Sequence, residues 1–197
     1  MKKIFIILIA TLLITPAFAQ EFTSNITTAK NSYKAGKLED AHFALQKAMQ
    51  EIDMTIGREV LKLLPAKMDT LSTNANDDNV SSNVGFVGAT VHRSYGKFSK
   101  KAEVSIISNS PMVAMLNTFL NLPVMGNMGD PNSKTIKLQG YKARLEKREG
   151  SEGKLNYELQ VPLGSALISF TVTETTEAEI TAFANTLPLA QIAKLIQ

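Results

Sequence analysis

Cysteine is absent from this chain of 197 residues. With it go disulfides, thiol nucleophiles, redox pairs and thiolate metal sites, and also the cysteine that lipoprotein processing requires. An excess of charge of one sign is missing too. The formal net charge is +3, but Lys2 and Lys3 sit in a leader without acids. Removing those two from 21 basic residues leaves 19 against 18 acidic ones, or +1. A surface so balanced selects neither nucleic acid nor an anionic membrane as a partner.

Histidine is sparse. Only His42 and His92 occur, with no His-x-x-x-His spacing. They fall on different expected elements, so the one catalytic alternative is a hydrolase using His92 with a nearby carboxylate. Gly164-Ser165-Ala166 lacks the G-x-S-x-G frame of a nucleophile elbow and reads as a tight turn. Gly126-Asn127-Met128-Gly129 lacks the preceding strand and following Lys-Ser/Thr of a phosphate loop. Asn74-x-Asn76-x-Asp78 opens like a calcium loop, but Asn79 stands where glycine is needed and Gly85 where glutamate is needed. No metal or cofactor is expected.

What is present begins with an address. Lys2-Lys3, an apolar run from Ile4 to Ile14, Pro16 and Ala17-Phe18-Ala19 form a secretory leader, residues 1–19, with cleavage expected before Gln20. The run is shorter than the ~20 residues of a spanning helix. An exported, periplasmic protein without stable membrane insertion after cleavage is the expectation.

Residues 20–68 read as a helical hairpin. A short helix, Asn25 to Lys34, ends at Gly36, and a longer one runs from Leu38 to Leu64, where Pro65 stops it. Its apolar stripe is Leu38, Ala41, Leu45, Ala48, Ile52, Ile56, Val60 and Leu63, in steps of three or four. Gly57 interrupts the run, at the position of a bend or close packing. Residues 69–83 are polar and rich in turn formers, which reads as a flexible linker. Residues 84–197 then alternate strand patterns, 85–95, 100–108, 134–139, 141–148, 154–161 and 166–173, with two helices. Ser110-Pro111 opens one helix to about Leu120, and the capping box Thr176-x-x-Glu179 opens a C-terminal one that breaks at Pro188. The expected fold is α+β, an antiparallel sheet packed by helices and preceded by the hairpin.

Ala29-x-x-x-Tyr33-x-x-Gly36-x-x-x-x-Ala41, followed by Leu45, resembles a tetratricopeptide-type helix pair, present in a single copy. Val161-Pro162-Leu163-Gly164-Ser165-Ala166-Leu167-Ile168-Ser169-Phe170 and Leu187-Pro188-Leu189-Ala190-Gln191-Ile192-Ala193 look similar to uncharacterised exported proteins of Gram-negative bacteria. Together with the order of elements over 85–197, they resemble PsbP-like domains. The resemblance implies an α+β sandwich and an exported location, and it carries no catalytic motif.

Residues 111–129 hold four of the eight methionines and no charge. Three readings compete. The helix is simply buried, methionine being a good core filler. Or it is an adaptable docking surface for an apolar small molecule or a protein partner, with Met112, Met115, Phe119, Leu122, Met125 and Met128 as contact residues. Or the thioethers bind Cu(I). The second is the sharpest functional expectation: a binding protein rather than an enzyme.

Overall fold

A computed structural model describes residues 17–85, 88–98, 100–121, 131–150 and 153–196. Most of the leader, and with it the expected export signal, lies outside these residues. The chain divides into two compact units, residues 1–51 and 52–197.

In the first unit, α1 (Ala17–Lys34) and the first half of α2 (Leu38–Leu63) form the expected hairpin. Gly36, at φ +74°, supplies the left-handed residue between them. The shared seam is made of small residues: Ala29 on α1 and Ala41, Ala44 and Ala48 on α2 are buried. Alanine lets the two backbones approach closely. In exchange, the seam buries little apolar area.

The second unit is built on a seven-stranded antiparallel sheet in the order β3-β4-β5-β9-β8-β7-β6. Its strands are β3 (Asn79–Ser81), β4 (Thr90–Lys97), β5 (Lys100–Ile107), β6 (Ser133–Leu138), β7 (Tyr141–Glu149), β8 (Leu155–Leu163) and β9 (Ala166–Val172). A small ribbon, β1 (Lys67–Met68) with β2 (Leu71–Ser72), precedes them. The chain pairs β3, β4 and β5 in turn. It then crosses through α3 (Met112–Asn121) to the far edge and returns as the meander β6 to β9, closing against β5. The meander turns are local in origin. Leu138 pairs with Tyr141 across Gln139 and Gly140, both at positive φ (49° and 90°), the geometry of a two-residue hairpin with a primed turn. Gly140, which separates the two expected strand patterns, therefore belongs to a full chain reversal. Leu163 likewise pairs with Ala166 across Gly164-Ser165.

One face of the sheet carries the core. Val91, Tyr95, Val104, Ile106, Ile168, Phe170, Leu159 and Leu145 pack with Val60 and Leu64 from the end of α2. The C-terminal helices α4 (Glu177–Ala184) and α5 (Leu189–Ile196) add Ile180, Phe183, Leu189 and Ile192 to the same cluster. Thr176 caps α4 by accepting the Glu179 N–H, and Pro188 separates the two helices, both as the local pattern requires.

Two expectations need correction. The unit boundary falls inside α2, because its second half belongs with the sheet. Gly57 is the reason: a Cβ there would stand 2.6 Å from Val80 Cγ1 and 3.1 Å from Ala89 Cβ. The glycine marks close packing. The second correction concerns residues 69–83, which are not a linker. They contain β2, a 3-10 turn (Ala75–Asp77) and β3, the sheet's edge strand. Their polar side chains grip β4: Asn74 Nδ2 donates to Ser94 Oγ and the Gly96 carbonyl, the Ser94 hydroxyl donates to Asp77, and Arg93 donates twice to Asp78 (2.9 and 2.6 Å). Arg93 also donates to the Leu64 carbonyl at the end of α2.

Candidate functional site

The opposite sheet face is reached at Leu167, which alternates with the core residue Ile168. Here α3 lies across one end of β7, β8 and β9. Ser110 starts the helix, its hydroxyl accepting the Met112 N–H. Val113, Leu116 and Leu120 form the buried stripe against Leu167, worth roughly 1.5–3 kcal/mol per side chain before entropy. Met112, Met115 and Phe119, three and four residues apart, form a neighbouring stripe that the sheet does not cover. Met112 is 46% and Met115 67% exposed, while Phe119 is half-buried beside the helix's core stripe. The apolar arc of α3 is thus wider than its buried part. Leu122, Met125 and Met128, the other expected contact residues, lie outside the described residues.

Two cations that the sequence did not single out border this stripe. The Arg144 guanidinium stands 5.3 Å from the centre of the Phe119 ring and donates to Ser133 Oγ. Lys142 Nζ donates to the Leu120 carbonyl and Asn121 Oδ1, closing the C-terminal end of the helix. Alternation along β7 puts both residues on the α3 side of the sheet, which the 141–148 strand pattern implied without saying that α3 would cross there. The result is an apolar strip of flexible thioethers bordered by Lys142 and by an Arg144 that is paired with Glu146.

A second surface lies at the other end of β5. A cleft of about 1100 Å³ is lined by residues 70–77 and by the β4–β5 turn. At that turn Phe98 is 98% exposed and adopts φ +57°, a left-handed conformation that disfavours an aromatic residue. Its neighbours Lys100 and Lys101 pair with Glu179 and Glu103. Its only mark in the sequence is an aromatic between lysines in a strand-turn-strand pattern, Lys97-Phe98-Ser99-Lys100.

His92 sits on β4 between Asn79 and Ser105 of the adjacent strands, and His42 is exposed on α2. Among the described residues, no group of three or more His, Cys, Asp or Glu is placed to hold a metal ion. Two residues of the calcium-like pattern are already engaged, Asn74 with β4 and Asp78 with Arg93. The Asp78 hydrogen bond raises the Arg93 pKa, and burial pushes the Tyr95 hydroxyl up to about 12. Arg93 fastens the 69–83 segment through Asp78, while the buried Tyr95 hydroxyl has no hydrogen-bond partner among the described residues. No helix among the described residues is long and apolar enough to cross a membrane.

The chain matches no protein-family model, and comparison with curated proteins and with solved structures likewise found no match.

Proposed function

We propose that this is an exported binding protein of the cell envelope, related in architecture to PsbP-like domains, whose α3 face holds an apolar group of a small molecule or partner protein. The observation that carries the reading is the exposure of Met112 and Met115 beside a buried stripe of the same helix. Thioethers that served only as core filler would be covered. Flexible, polarisable side chains left in water suit a surface that repacks around a ligand. Lys142 at its border, bonded only to the neutral Leu120 carbonyl and Asn121 amide, favours a ligand carrying negative charge beside its apolar part. Export rests on the leader pattern.

Native mass spectrometry of the protein purified gently from an envelope fraction tests both halves. The expected mass is that of a chain starting at Gln20, with a co-purifying molecule or protein that Met112→Asp/Met115→Asp releases. Retention of that species by the folded double variant would sink the α3 assignment, and a copper adduct lost on Met→Leu replacement would redirect it to metal binding.

A further inference from the structure

The helical hairpin carries an apolar face that no described residue of its own unit covers. On α1, Ile26 and Tyr33 are one heptad apart and 40% and 70% exposed; on α2, Leu38, Leu45 and Met49 are 62%, 48% and 46% exposed. Both stripes are rotated in the same sense from the buried alanine seam. Because α1 and α2 run antiparallel, that common rotation brings both stripes to one side of the hairpin. The seam of Ala29, Ala41, Ala44 and Ala48 explains why the larger side chains stay outside: they flank the contact instead of filling it. A helix pair of this kind needs a neighbour on its open side, and there is only one such pair among the described residues.

We infer that the neighbour is a second copy of the chain, the two hairpins packing face to face as a four-helix bundle. This goes beyond the binding role assigned to α3 and uses a different surface. Area supports it. The five side chains expose on the order of 600 Å² per copy, so a two-fold pair buries ~1,200 Å², the lower edge of the range for stable specific interfaces. Such a patch is also at the top of the ~300–600 Å² range found on ordinary monomers.

Charge then selects the arrangement. Lys30 and Lys34 lie in the last half of α1 and Lys37 in the turn, while Glu39 opens α2 beside Leu38. If the two-fold axis runs across the helices, α2 lies on α2 of the second copy with the turns at opposite ends, which keeps Lys30 and Lys34 away from Glu39 of that copy. If the axis runs along the helices, α1 lies antiparallel on α2 of the second copy with both turns at one end. Lys30 and Lys34 then approach Glu39 of the second copy. The second arrangement gives opposite charges at the rim and antiparallel neighbours throughout, the geometry that short-looped bundles use.

Sedimentation equilibrium on the processed chain, residues 20–197, tests this at about 50 µM, above the weakest affinities typical of interfaces this size. The expected result is a dimer. Leu45→Glu/Met49→Glu, which keeps good helix formers at exposed positions, should yield a monomer with unchanged far-ultraviolet circular dichroism. Should that variant fail to fold, the rim variant Lys30→Glu/Lys34→Glu serves instead. It should weaken the dimer by about tenfold through its rim pairs, and Glu39→Lys in the same chain should restore it. Met112→Asp/Met115→Asp should remain dimeric, which separates this test from that of the α3 site. A monomeric wild-type chain, a dimer that survives the hairpin and rim variants, or a rim variant that the charge swap fails to rescue would each overturn the inference.

Discussion

Replacing Gly57 with alanine sets two opposing effects against each other, and the structure decides the winner. In the interior of α2, glycine costs ~1 kcal/mol relative to alanine, so helix propensity alone makes Gly57→Ala stabilising. The added methyl, however, would stand 2.6 Å from Val80 Cγ1, 3.1 Å from Ala89 Cβ and 3.4 Å from Val91 Cγ2. Valine is stiff about χ1, and Val80 and Ala89 are held by β3 and the start of β4, so the helix itself must move outward. Overpacking of this kind costs about 1–3 kcal/mol. The net expectation is a loss of about 1 kcal/mol, or ~2–4 °C in Tm for a chain of this size. The decisive measurement is a double-mutant cycle followed by urea unfolding. Val80→Ala removes the 2.6 Å contact, and in that background Gly57→Ala should become neutral or stabilising. If Gly57→Ala stabilises the otherwise unaltered protein, the glycine is not there for close packing and the account of α2 on the sheet fails.

Arg93→Ala removes two hydrogen bonds to Asp78 and one to the Leu64 carbonyl, in a pair whose side chains are 13% and 18% exposed. A loss of about 3 kcal/mol in chemical denaturation is expected, since an unpaired carboxylate stays behind. Arg93→Lys should recover only part of it, lacking the planar fork, and a loss below ~1 kcal/mol would show that residues 69–83 are held by other means. The hydrogen bond from Lys100 holds the Glu179 carboxyl below its ordinary value. The stability this contributes is fully present above the unfolded value of ~4.3 and is lost as pH falls through the lower folded value. Thermal melts between pH 7 and pH 3 should therefore lose less in Glu179→Gln than in the unaltered chain, and parallel curves would contradict the pairing.

The features legible before folding were those whose physics is local. Gly140 and Gly164 make turns because they tolerate positive φ, Ser110 and Thr176 cap helices with their own hydroxyls, and Pro188 ends α4 by lacking an N–H. Alternating apolar residues gave six of the seven sheet strands to within a few positions. Residues 69–83 were misread because nothing local distinguishes an asparagine that caps a solvent-exposed turn from Asn74, whose amide reaches Gly96 twenty-two residues away. The candidate site was half legible. An uncharged helix with too wide an apolar arc pointed to Met112, Met115 and Phe119, but the approach of Arg144 and Lys142 depends on where α3 crosses the sheet. Phe98 was missed because exposure is not a property of a sequence window.

By itself, then, the sequence determined the kinds of elements, their turns and caps, and the classes of chemistry that the lack of cysteine and paired histidines excludes. Tertiary structure alone decided the order of strands, with β9 returning to pair with β5, and the division of α2 between two units at a point where its apolar stripe is unbroken. It also decided which half of each apolar arc is covered. Hydrogen bonding and backbone preference act over a few residues and leave a mark in composition. Burial depends on which surfaces meet, and chain segments distant in sequence settle that together.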